Sequence, residues 1–207
     1  MPQPIVLFGG SFDPVHHGHL IAARAVAEKR GWAKVTFLPA GRPPHKGPAV
    51  ASAEDRLAML RLAIAGEALF DICDLELRRR GPSYTFETLS ELRRLHGPEA
   101  PLVMVVGMDM LPDLPTWRRA GEVLELAEVV VAARPPFHGE REAILARLRD
   151  KLGQQAAERL AANVVSTPLI DISATEIRRR RCAGLSIRYL VPDNVAACIE
   201  RRGLYAR

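Results

Sequence analysis

The sequence predicts an α/β fold: a Rossmann-like, doubly wound parallel sheet with helices on both faces. Three observations carry this. Strand-length segments alternate with helical patterns from end to end. Several strand segments, such as 5–8 and 129–133, are unbroken apolar runs, the pattern of strands covered on both faces. A glycine-rich turn joins the first strand to the first helix, at the edge where open parallel sheets bind ligands.

The elements follow in order. Residues 4–10 read as a short buried strand running into glycines, 11–17 as a loop, and 19–30 as a helix closed by Gly31. A second strand covers 34–39. A Pro/Gly-rich loop, 40–50, leads to a helix over 54–65, its start marked by Ser52 with Asp55 three residues on, close to a capping box. Residues 70–75 read as a strand, 86–96 as a helix, and 102–106 as an apolar strand ending in Gly107. A helix over 118–127 precedes a strand over 129–133, which stops at Arg134-Pro135-Pro136. Residues 140–162 are charged and helical, and 164–167 form a short strand. A helix over 173–182 opens on the capping box Ser173…Glu176, and 195–202 is a last helix.

A chain of 207 residues is one domain of ordinary size. It is read as a single domain, 1–207, with a helical part, about 173–207, packed on it. Apolar residues at 48% and charged residues at 26% fit a globular chain and exclude a disordered or fibrous one. No apolar run approaches the 18 or so residues of a membrane span, so no membrane role is expected. No signal-peptide pattern opens the sequence. Cys73, Cys182 and Cys198 are scattered, which suits a reducing cytoplasm.

The net charge of +5 permits an anionic partner without identifying one. It is read as a solvated basic surface around one anionic small-molecule site rather than a nucleic-acid surface.

The segment Gly9-Gly10-Ser11-Phe12-Asp13-Pro14-Val15-His16-His17-Gly18-His19 carries the most information. Paired glycines let backbone N–H groups approach a phosphate, and a helix N-terminus adds its dipole and free donors. His16 and His19, three apart, share a face of the first helical turn and can donate to phosphate oxygens. Zinc competes for nearby histidines, but no cysteine or acidic residue stands at ligand spacing. A turn with incidental histidines is the plainer alternative. In Ser173-Ala174-Thr175-Glu176-Ile177-Arg178, Ser173 can cap a helix while Arg178 offers a guanidinium near the same end. Alone, that segment reads equally well as a capped helix with surface arginines. Gly107-Met108-Asp109 follows a strand, where an aspartate can accept ribose hydroxyls or cap a helix.

These segments together resemble the nucleotidyltransferase superfamily with the (H/T)xGH motif, and in particular the bacterial nicotinate-nucleotide adenylyltransferases. The resemblance continues through Pro43-Pro44-His45-Lys46, Pro82-Ser83-Tyr84-Thr85, Pro115-Thr116-Trp117, Arg134-Pro135 and Ile187-Arg188-Tyr189-Leu190-Val191-Pro192, nearly the whole chain in order. It implies adenylyl transfer from ATP to nicotinate mononucleotide, giving deamido-NAD and pyrophosphate, with Mg²⁺ held mainly by the ATP phosphates and no dedicated protein metal site.

By the same resemblance, His16, His19 and Arg178 are catalytic. ATP is bound by these with Gly9, Gly10, Ser11, Phe12, Gly107, Asp109, Arg134, Ser173 and Thr175. The mononucleotide is bound by Lys46, Thr85, Asp109, Trp117 and Arg118. Trp117 would stack on the pyridine ring, while backbone N–H groups near Thr85 and just after Trp117 hold the carboxylate. The chain departs from the family pattern at Pro136, where glycine is usual, and at Arg118, where several relatives carry an aromatic. Ser11 stands for a common threonine, and Lys46 for an occasional arginine. Alternatives are another acceptor (nicotinamide mononucleotide or phosphopantetheine) or a non-enzymatic nucleic-acid-binding module. A homo-oligomer is compatible with the sequence, which does not fix one.

Overall fold

The computed structural model describes residues 3–42, 49–133 and 141–206. Its strands are β1 (Ile5–Gly10), β2 (Val35–Pro39), β3 (Phe70–Ile72), β4 (Leu102–Gly107), β5 (Glu128–Ala133) and β6 (Val164–Ser166). Its α-helices are α1 (His17–Arg30), α2 (Ala53–Ala63), α3 (Leu75–Arg78), α4 (Thr85–His96), α5 (Ala120–Leu126), α6 (Arg141–Leu152), α7 (Gln154–Ala162), α8 (Ala174–Cys182) and α9 (Asp193–Arg201). The six strands form one sheet in the order β3-β2-β1-β4-β5-β6, all pairs parallel. Connections run outward in both directions from the β1–β4 pair, where Val6 faces Val103. That is a doubly wound sheet, as expected.

Side-chain alternation along a strand explains the two cores. Val6, Phe8, Val103, Val105, Val130 and Ala132 enter one, against Ala23 and Val26 of α1, Met59 and Leu60 of α2, Ile177 of α8, and Val195 and Ile199 of α9. Leu7, Met104, Val106, Val129 and Val131 enter the other, against Leu89 and Leu92 of α4, Val123 of α5, Leu148 of α6 and Leu160 of α7. A strand buried on both sides needs an apolar residue at every position, so its periodicity vanishes. At about 25 cal/mol per Å² of buried apolar surface, these two layers are the main stabilising contribution. α9 is tied to α2 by Asn194 Nδ2, which donates to the Leu62 carbonyl at 2.6 Å.

Several expected boundaries shift. The strand expected over 70–75 stops at Ile72, and the turn of helix α3 begins at Leu75. Among the described residues β3 is bonded only to β2, and none on its outer side extends it. Residues Met108–Thr116 form a 3₁₀ helix that the sequence reading left out. Pro112 and Pro115 lack the N–H that a continuous α-helix requires, and short 3₁₀ turns tolerate this. The helix expected over 118–127 therefore starts at Ala120, after Arg119 in the left-handed region at φ 57°. The stretch 140–162 is two helices rather than one, broken where Gly153 takes φ 88°. No helix among the described residues is long and apolar enough to cross a membrane.

Candidate active site

A cleft of about 530 Å³ opens at the carboxyl ends of β1 and β4, where the winding direction reverses. Its wall includes Gly9, Gly10, Ser11, Phe12, His16, His19, Thr85, Gly107, Asp109, Trp117, Arg118, Ser173, Thr175 and Arg178. Every sequence-derived site residue within the described regions is therefore in one cleft. Lys46 and Arg134 lie outside the described residues. A second hollow, about 320 Å³, lies at the amino ends of β4 and β5, beside Leu102 and Glu128, and contains none of them.

The first wall is the turn after β1. A Cβ on Gly9 would fall 2.4 Å from Met104 Cε, and one on Gly10 2.8 Å from the Phe12 ring. Packing against the buried Phe12 ring thus disfavours a side chain at position 10, a reason added to the phosphate approach read from sequence, while at position 9 only the flexible end of Met104 would have to give way. His16 is the N-cap of α1 and 1% exposed. Its ring stacks on His19 with centroids 3.7 Å apart, and its backbone N–H donates to His19 Nδ1 at 3.3 Å. With Nδ1 accepting, the proton of a neutral His19 sits on Nε2, the donor a phosphate oxygen would use. Phe12, at φ 49°, meets the His19 ring edge-on at 5.0 Å.

The expectation of free donors at the start of α1 is corrected in part. The N–H of His17 donates to the Leu190 carbonyl at 3.1 Å and that of His19 to the His16 carbonyl at 3.0 Å.

The second wall is the start of α8. Ser173 Oγ accepts the Glu176 N–H at 3.1 Å, so the cap is present. The reciprocal half of the expected box is not: the Glu176 carboxylate pairs with Arg179 Nε and Nη2, both at 2.7 Å. Arg178 donates from Nη1 to the Asp13 carbonyl at 2.7 Å and from Nη2 to Thr175 Oγ1 at 3.2 Å. One guanidinium therefore joins the first two walls.

The third wall is α4 with the end of the 3₁₀ helix. Thr85 is the first residue of α4, where the helix dipole favours an anion. Trp117 is half-buried, and its own N–H donates to Leu114 at 3.1 Å, so the expected donor beyond it is the N–H of Arg118. The Arg118 guanidinium sits 4.8 Å over the Tyr84 ring and 3.3 Å from Glu87 Oε1. It offsets the one acidic residue in the first turn of α4.

Sequence reasoning missed the residues that hold these walls. The Asp13 carboxylate is 5% exposed and accepts the Val50 N–H at 2.7 Å, the Ala51 N–H at 3.1 Å and the Tyr205 hydroxyl at 2.6 Å. Arg56, 2% exposed, donates to the Ser11 carbonyl at 2.8 Å; burial draws its guanidinium below the usual arginine range. Glu76 accepts the Thr88 hydroxyl at 2.8 Å and the Gly41 N–H at 3.2 Å, and burial pushes its carboxyl above the usual range. An acidic residue inside the glycine-rich motif was the one available signal.

A cytidylyltransferase-like family model matches residues 7–180. A relative from Thermomicrobium roseum, named "probable nicotinate-nucleotide adenylyltransferase", is 45% identical over 96% of this chain and 90% of its own. One of the same name from Marinobacter nauticus is 44% identical over 97% and 95%.

The chain belongs to the nicotinate-nucleotide adenylyltransferase family.

Its fold also matches a solved member, the Plasmodium falciparum nicotinic acid mononucleotide adenylyltransferase complexed with NaAD, at TM-score 0.77 over 99% of this chain and 98% of that one, with 17% identity. Family membership was legible in the motifs. The network that fixes Asp13 was not, because none of its partners is near it in sequence.

Proposed function

We propose that this chain transfers the adenylyl group of ATP to nicotinate mononucleotide, releasing pyrophosphate and forming deamido-NAD, from a single domain of residues 1–207. The observation that carries this is the convergence of the histidine pair, Arg178 and the Thr85/Trp117 segments on one cleft.

The acceptor phosphate is already ionised at neutral pH, so it needs no general base. Catalysis rests on alignment and on cations around the reacting phosphates. The stacked His16 and His19 serve the α/β-phosphate region. Arg178 and the 173–175 helix start take the β/γ end, with Gly9, Gly10, Ser11 and Phe12 lining the floor. Asp109 and Gly107 serve the ribose, Arg134 the adenosine side, and Lys46 a supporting phosphate contact. Trp117 stacks on the pyridine while the N–H groups at Thr85 and Arg118 receive its carboxylate.

Among the described residues, no group of three or more His, Cys, Asp or Glu side chains is placed to hold a metal ion. Mg²⁺ would be carried by triphosphate oxygens and water, where it would neutralise charge on the leaving pyrophosphate. All three cysteines are free thiols, in keeping with a cytoplasmic setting.

The test is pyrophosphate release with ATP and Mg²⁺ on nicotinate mononucleotide, nicotinamide mononucleotide and phosphopantetheine side by side. Fast turnover on the nicotinate acid, with the amide far slower, is expected. Preference for another acceptor would leave the phosphate machinery standing and overturn the acceptor pocket. Salt-dependent RNA binding without turnover would favour the nucleic-acid reading instead.

A further inference from the structure

We propose that Tyr205 is a positioning residue for the ATP-binding turn, acting through Asp13; the inference rests on the adenylyl-transfer reading and assigns it a remote support. Tyr205 follows α9 with its backbone in the left-handed region at φ 58°, unusual for an aromatic residue. Its ring is 8% exposed and belongs to the core shared by α1, α2, α8 and α9. The hydroxyl reaches Asp13 Oδ1 at 2.6 Å across 192 positions of sequence. Burial and the neighbouring carboxylate push the phenol pKa up, so the group remains a donor.

The consequence runs through Asp13. Its Oδ1 accepts the Tyr205 hydroxyl and the Ala51 N–H and its Oδ2 the Val50 N–H, fixing the entrance to α2 against the β1 turn. Its carbonyl takes Arg178, the cation assigned to the β/γ-phosphates. A buried carboxylate deprived of a donor shifts or recruits water. Any shift of residue 13 displaces both the turn that carries Phe12 and the anchor of Arg178. Arg56 grips the same turn at the Ser11 carbonyl, so the segment is held at its backbone by arginines and at its side chain by the tyrosine. Tyr205 itself does not line the cleft.

Tyr205→Phe removes only the oxygen. Loss of one charge-assisted hydrogen bond at Asp13 is expected to weaken ATP binding, measured by calorimetry, about tenfold. kcat/KM for ATP should fall about as far, with KM for the mononucleotide unchanged. Arg202→Ala is the control: Arg202 pairs with Asp55 and so ties the end of α9 to α2 without touching the β1 turn. It should lower the melting temperature and leave ATP affinity at the wild-type value. Wild-type ATP affinity in Tyr205→Phe, or equal losses for both substrates, or the same loss in Arg202→Ala, would overturn the proposal. A wild-type chain that binds ATP yet releases no pyrophosphate would overturn the reaction instead, and the calorimetric comparison would still decide the role of Tyr205.

Discussion

His16 is 1% exposed, yet its ring is stacked on the more open His19 at the mouth of α1. On the proposed reaction, a buried imidazole facing the phosphates would act in a low-dielectric setting, where a donor stabilises developing charge more than it would in water. His16→Ala is expected to lower kcat by roughly 10²-fold or more. Near-normal turnover in a folded variant would remove that role. The pairing was readable because three-residue spacing puts two side chains on one helical face. Arg56, Tyr205 and Glu76 were not. Arg56 meets Ser11 across 45 positions and Tyr205 meets Asp13 across 192, and no local pattern encodes such meetings. Glu76 was hidden because it falls just past the strand expected over 70–75, where no element is expected, and only the fold brings Thr88 and Gly41 to its carboxylate.

At the scale of elements, each strand was found to within a few residues, because a parallel sheet covered on both faces needs apolar runs that loops and surface helices rarely have. Helix caps were legible where a side chain supplies them, as Ser52 and Ser173 do. Elements set by backbone chemistry were harder. The 3₁₀ helix over Met108–Thr116 carries a helical-looking composition interrupted by prolines, and the sequence reading passed over it. The break between α6 and α7 is a single glycine whose φ of 88° an L side chain rarely adopts. Gly153→Ala should therefore destabilise by about 1 kcal/mol, roughly 2–4 °C in melting temperature for a chain of this size. α6 and α7 contribute nothing to the cleft among the described residues, so kcat/KM should be unchanged. A loss of activity without a fall in melting temperature would contradict this division of labour.

Across the whole molecule, the cleft is built from segments as distant as Phe8 and Arg178, drawn from both halves of the sheet. A ligand seated there binds only the assembled chain and must stabilise it by linkage. ATP with Mg²⁺ at about 100 times its Kd should add about 2.7 kcal/mol, a rise of roughly 5–10 °C in melting temperature. An unchanged melting temperature at saturating ATP would mean that the cleft does not hold the nucleotide. The net charge of +5 favours the approach of such an anion, and added salt should weaken the effect.

The two outermost strands, β3 and β6, are three residues each. An exposed strand edge is a template on which another chain can add a strand, and natural sheets blunt it by keeping it short and charged. Asp71 of β3 pairs with Lys34 just before β2, and Arg30 donates to Asn163, just before β6, at 2.8 Å. The long, sticky strands of this sheet are all interior. Folded copies of this chain, even when crowded, thus present little edge backbone among the described residues for one molecule to zip onto the next.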